Sequence, residues 1–156
     1  MLGVECSKEA INAFSDEQGL NLQASAYKSF TLHNHHNLSI LEGDFFKLDK
    51  EALSKVSAVY DRASLIALPK VMRKQYVDLL VETLPPKVSI LLVTIEYNQL
   101  LMSGPPFSVP NDEIERLYKA HFLVEKLHQQ DILNEQPRFK QKGLDMMIER
   151  VYKISR

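Results

Sequence analysis

The sequence predicts a doubly wound α/β sheet, and three observations carry that reading. Short apolar runs alternate with segments of helical period. The run SILLVTIEY, Ser89–Tyr97, is almost continuously apolar, as expected of a strand buried on both faces of a parallel sheet. Three successive strand ends carry an acid, Glu5, Asp44 and Asp61. Open α/β sheets bind their ligands beyond the carboxyl ends of the strands, so acids recurring there suggest one crevice.

The elements follow in order. The opening MLGVE reads as a strand ending at Glu5. Ser7 is a good N-cap, Ala10, Ile11, Ala13 and Phe14 form one apolar helical face, and Gly19 is the expected stop. Residues 21–37 have no clear period and contain HNHH, His33–His36, so they read as loop. LSILEGDFF is a strand with a turn at Gly43-Asp44, DKEALSKV a short helix, and SAVYD a strand stopping at Asp61. Pro69 opens a helix to about Leu84, with Met72, Tyr76, Leu80 and Leu84 on one side and its Lys and Arg residues on a solvated face. After SILLVTIEY, the string SGPPFSVP is a stiff loop, because three prolines fix φ and remove backbone donors. Asn111 then caps the helix NDEIERLYKAHF, whose first-turn acids suit the dipole. Two further strands, near Leu123–Leu127 and Met146–Ile154, flank a polar loop.

Composition narrows the classes. At 156 residues the chain fits one domain, 1–156. A net charge of −1 with mixed signs gives no support for a nucleic-acid partner. The single cysteine, Cys6, excludes an internal disulfide and suits a reducing compartment. No apolar stretch is long enough to span a membrane, and the first residues lack the basic start of a signal peptide. The expected location is cytoplasmic.

Each candidate residue has a plain reading beside the functional one. Glu5 is placed to accept from the vicinal hydroxyls of a ribose, or is a surface acid at a helix start. Asp44 can accept from an adenine amino group while the Phe45 N–H donates to a ring nitrogen, or it caps its own turn. Arg62 is free to pair with a ligand carboxylate, with Asp61 or with nothing. GPPFSVP, Gly104–Pro110, can wall a small-molecule pocket or simply stiffen a loop. HNHH lacks the spacing and further ligands of a metal site and reads as solvated loop.

Taken together, GVECS, GDFF, VYDRASLIALP, ILLVTIEY and GPPFSVPNDEIERLY resemble, in this order, the thiopurine S-methyltransferase family, especially its bacterial branch. The resemblance runs from about Leu2 to Tyr152. It implies a Rossmann-like sheet that uses S-adenosylmethionine to methylate soft nucleophiles: aromatic or heterocyclic thiols, and selenium or tellurium species. Glu5 would then hold the ribose, and Asp44 and Phe45 the adenine. Arg62 would lie beside cofactor and substrate. Pro105, Pro106 and Phe107 would line the acceptor side, with Arg138, in the string PRFKQKGLD, near the substrate. A thiolate is already a strong nucleophile, so approach and desolvation matter more here than a strong base.

The resemblance also implies elements ahead of GVE: an N-terminal helix, a central first strand, and a Gly-containing turn for the methionine end of the cofactor. Without that strand two strand edges lie open, an aggregation hazard. The expectation is an incomplete methyltransferase domain with weak cofactor binding and impaired activity; the alternative is a non-catalytic remnant or interaction module. A nicotinamide-dependent dehydrogenase shares the acid-ended strand but leaves GPPFSVP and YDRASL without a purpose.

Overall fold

Eight strands form two sheets of four in a computed structural model that describes residues 1–156. The chain divides into two compact units, Met1–Asp49 and Lys50–Arg156, and each holds one sheet.

The first unit begins with β1, Leu2–Glu5, and α1, Lys8–Gln18. The Ser7 side chain accepts from the Ala10 N–H at 3.2 Å, and Gly19 ends the helix at φ +61°, as the sequence predicts. The apolar face is narrower than expected: Ile11 is buried and Phe14 half-buried, but Ala10 and Ala13 are exposed.

The segment expected to be loop is a hairpin. Strands β2, Gln23–Tyr27, and β3, Phe30–His35, pair antiparallel, and β3 pairs in turn with β4, Leu38–Glu42. Two-residue turns join them, Lys28-Ser29 and His36-Asn37. Such turns need positive φ and usually carry glycine or asparagine there. Here Lys28 (φ 53°) and His36 (φ 50°) take that conformation, so the ordinary hairpin signal is missing from the sequence. Strand β1 pairs with β4 in parallel, Glu5 opposite Glu42.

In the second unit, residues 50–55 form successive turns rather than the expected helix; the Ser54 and Val56 N–H groups each reach back only three residues. Strand β5, Ala58–Asp61, pairs in parallel with β6, Ser89–Glu96. Between them lie α2, Ser64–Ala67, and α3, Lys70–Thr83. Strand β6 is not covered throughout: Leu91 is 41% exposed and stands opposite Tyr60, itself 66% exposed.

Helix α4 covers Asn111–Tyr118, and Pro110 takes the cap position in place of Asn111. Asn111 instead accepts from the Tyr152 hydroxyl at 2.9 Å and donates to Glu115. Strand β7, Leu123–Asp131, is longer than the sequence suggests, with an irregularity between Lys126 and His128. The short helix α5, Pro137–Lys140, precedes β8, Ile148–Ser155, which runs antiparallel to both β6 and β7. Leu65, Ile90, Leu92, Ile114, Tyr118 and Ile154 are fully buried in this unit.

Each sheet therefore ends on a parallel-paired strand with an open edge, β1 in the first and β5 in the second. These are the counterpart of the two open edges that the sequence predicts.

Candidate active site

In the first unit the parallel pairing of β1 with β4 brings two strand ends together. The Gly43 N–H donates to the Glu5 carbonyl oxygen at 2.9 Å, so Glu5 and the segment Asp44-Phe45 leave adjoining carboxyl ends. Gly43 makes the exit possible: a Cβ there would meet the Phe30 ring at 2.6 Å. Glu5 Oε1 accepts from the Ser7 N–H at 2.8 Å, which fixes the carboxylate and leaves its other oxygen to accept. Asp44 Oδ1 accepts from the Phe46 N–H at 2.9 Å, so Asp44 does cap its own turn. That bond uses one oxygen of an exposed carboxylate and leaves the other for a ligand donor. Fixed acceptors at adjoining strand ends fit the hydroxyls and amino group of an adenosine.

His33 of the HNHH string is buried rather than solvated; its ring meets Glu42 Oε2 at 2.7 Å. His35 meets the Asn21 carbonyl oxygen at 3.1 Å and stacks edge-on against His36.

In the second unit Asp61 turns inward, so the run of three acids facing one crevice does not hold. Asp61 is 3% exposed, accepts from the Ser64 N–H and the Tyr76 hydroxyl, and anchors α2 and α3. Its neighbour Arg62 remains exposed and carries no ion pair, so its guanidinium is free for a ligand.

The proline loop is built tightly. Both Gly104–Pro105 and Pro105–Pro106 are cis. Gly104 sits at φ +80°, where a Cβ would come within 2.5 Å of the Phe107 ring. The Phe107 N–H donates to the Ile66 carbonyl oxygen at 2.6 Å, and the Tyr97 hydroxyl donates to that of Pro106 at 2.6 Å. Ser108 donates its N–H to Gln99 Oε1 at 2.8 Å and accepts from the Tyr97 N–H at 3.0 Å. Phe107 lines a cleft of about 550 Å³ together with Lys70, Arg73, Gln99 and Glu113.

Arg138 is exposed on α5, with its guanidinium 4.6 Å from the centre of the Phe139 ring. Phe139 packs in one buried cluster with Tyr97, Met102 and Met147, and Ile66 packs against that cluster. The base of the proline loop and the helix carrying Arg138 thus share a core.

Three residues of this region escape a motif search: Arg73, Glu113 and Gln99. Arg73 is 2% exposed, contrary to a solvated basic face on α3. Its position held the clue, since 73, 76–77 and 80 fall on one helical line with the buried Tyr76, Val77 and Leu80.

Parallel strands with acids at adjoining carboxyl ends, and a late antiparallel strand set between β6 and β7, make this chain an S-adenosylmethionine-dependent methyltransferase in fold. Solved structures share it: the YcgJ protein from Bacillus subtilis (TM-score 0.62, 13% identity, covering 99% of this chain and 82% of that one). An arsenic(III) S-adenosylmethionine methyltransferase from Chlamydomonas reinhardtii does so too (TM-score 0.59, 14% identity, 99% and 54%). These likenesses are of fold alone.

The chain belongs to the thiopurine S-methyltransferase family, whose model matches residues 1–156. It is 43% identical over 152 residues to the thiopurine S-methyltransferase of Nitrosospira multiformis, covering 97% of this chain and 69% of that protein. The corresponding protein of Pseudomonas fluorescens is 41% identical over 154 residues, with 99% and 71% covered. Membership implies S-adenosylmethionine as the methyl donor. No helix is long and apolar enough to cross a membrane.

Proposed function

We propose that residues 1–156 serve one methyl-transfer function, directed at aromatic or heterocyclic thiols and at selenium or tellurium nucleophiles. The observation that supports it best is the placement of Glu5 and Asp44-Phe45 at the adjoining carboxyl ends of β1 and β4. Glu5 would hold the ribose hydroxyls, and Asp44 and Phe45 the adenine edge. S-adenosylmethionine, when bound, supplies a sulfonium methyl group to an incoming thiolate.

The rest is the work of the chain. Arg62 offers an exposed cation that favours an anionic acceptor. Pro105, Pro106 and Phe107 present an apolar wall without backbone donors at the two prolines, which keeps water off the acceptor. Arg138 is a second cation, carried by a helix that shares its core with the loop. None of these residues addresses the amino-acid end of the cofactor, so we expect weak cofactor affinity and slow turnover.

The test is a calorimetric titration of the chain with S-adenosylhomocysteine, followed by incubation with S-adenosylmethionine and 6-mercaptopurine and mass spectrometry of the product. Weak binding that depends on Glu5, with a methylated mercaptopurine, supports the reading. Binding indifferent to Glu5, with no methylated product, overturns it.

A second reading is a non-catalytic module that binds a partner along an open strand edge. The exposed edge strand β5 favours it. It would gain from partner binding by a chain that takes up no S-adenosylhomocysteine.

A further inference from the structure

Beneath the proline loop lies a buried ion pair that the proposed chemistry does not use. Arg73 on α3 is 2% exposed and Glu113 in the first turn of α4 is 5% exposed. Arg73 Nη1 donates to both Glu113 oxygens, at 3.0 and 2.9 Å. The same nitrogen donates to the Ser108 carbonyl oxygen at 3.2 Å, and Nε to that of Leu68 at 3.0 Å. One guanidinium thus ties together the entry to α3, the start of α4 and the end of the proline loop.

We propose that Arg73, with Glu113 as its counter-ion, is a positioning residue that sets the Phe107 wall against which the flat acceptor ring packs. The inference rests on the acceptor reading given above.

Three physical points support it. First, a buried ion pair is a poor way to gain stability, because apolar replacements of similar volume often serve as well. A pair in this place needs another account, and its contacts supply one. Second, the bonds from Arg73 are directional. A planar guanidinium can donate along several fixed lines at once, whereas an ammonium on a flexible stem cannot hold the same set. Third, the clamp acts next to the ring that matters. Ser108 is held through its carbonyl by Arg73, through its N–H by Gln99 and through its hydroxyl by the Tyr97 N–H. Phe107 is held by its N–H on Ile66, and its ring and Arg73 line the same cleft. Releasing the Ser108 carbonyl frees the loop immediately beside that ring.

Arg73→Met alone would strand a buried carboxylate and risk unfolding, so the decisive protein is the double variant Arg73→Met/Glu113→Leu. Three quantities are compared with the wild type. These are amide hydrogen exchange at Phe107 and Ser108 against Leu80 in α3, 6-mercaptopurine binding by saturation-transfer NMR, and S-adenosylhomocysteine binding by calorimetry. The expected result is a folded protein in which the Phe107 and Ser108 amides exchange about tenfold faster while Leu80 is unchanged. Mercaptopurine binding weakens by about tenfold, the scale of one or two lost hydrogen bonds, and S-adenosylhomocysteine binding stays as it was. Arg73→Lys, which keeps the charge without the fork, is expected to leave both amides fast.

A folded double variant with wild-type exchange at Phe107 and Ser108 overturns the proposal, as does full recovery of slow exchange by Arg73→Lys. A wild type that binds no mercaptopurine is a separate failure, of the acceptor reading, and the exchange data tell the two apart.

Discussion

The Tyr76 hydroxyl donates to Asp61 Oδ2 at 2.8 Å inside the second unit, so the acid after β5 is a structural anchor. Burial is the largest influence on that carboxyl and raises it above its ordinary range, against the pull of bonds from Tyr76 and the backbone of Leu65, Ser64 and Ala63. Between the ordinary and the raised pKa, the folded chain holds a proton that the unfolded chain has released. Stability therefore falls as pH rises through that window. Asp61→Asn removes the fall, while its amide oxygen still accepts from the α2 N–H groups. Urea unfolding at a series of pH values checks this, and parallel wild-type and variant profiles would refute it.

Tyr118 is fully buried and its hydroxyl has no hydrogen-bond partner. Burial and the charge of Asp61 push that hydroxyl well above its usual pKa, so it stays a neutral group without an acceptor. Tyr118→Phe removes the orphan oxygen and keeps the ring. The variant is expected to be more stable by about 1 kcal/mol. A loss of stability on chemical denaturation would show that the hydroxyl is satisfied after all.

Glu5 carries the ribose assignment. Glu5→Ala is expected to weaken S-adenosylhomocysteine binding by about ten- to a hundredfold, the range for lost charge-assisted hydrogen bonds. Glu9→Ala, which removes an exposed first-turn acid four residues on, serves as control and is expected to change binding little. Equal effects of the two variants would withdraw the assignment.

The open edge of β5 carries Tyr60, 66% exposed. Unpaired edges with exposed apolar side chains promote association between chains, and charged residues there discourage it. Tyr60→Lys is expected to raise the concentration at which light scattering detects aggregates, without altering the far-ultraviolet circular dichroism. Unchanged scattering would place the association elsewhere.

How much of this was legible in the sequence depends on the physics at each residue. Ser7 and Gly19 announced α1 because capping is local chemistry. The long apolar run announced β6 because strand burial leaves a compositional mark. The β2–β3 and β3–β4 hairpins did not announce themselves, since Lys28 in the first turn and His36 in the second adopt positive φ without the residues that usually do so. Asp61 looked like a ligand-binding acid because its position along the strand is the same whether its side chain points out or in. Only the Tyr76 hydroxyl, fifteen residues away, settles which. The string GPPFSVP was conspicuous, but the Arg73–Glu113 tie beneath it joins residues forty positions apart. The sequence reading sets Arg73 on a solvated face, although its helical phase matches that of the buried Tyr76, Val77 and Leu80, and nothing local names its partner.

The place of β8 has a consequence for synthesis. Residues 148–155 are made after every other strand, yet they lie between β6 and β7. On a ribosome, β6 emerges with one side waiting for a partner that arrives more than fifty residues later, and β7 has no neighbour at all until then. The second sheet cannot close stepwise as the chain emerges. It closes in a late event that joins three strands at once, and until then a chaperone would find the bare flank of β6.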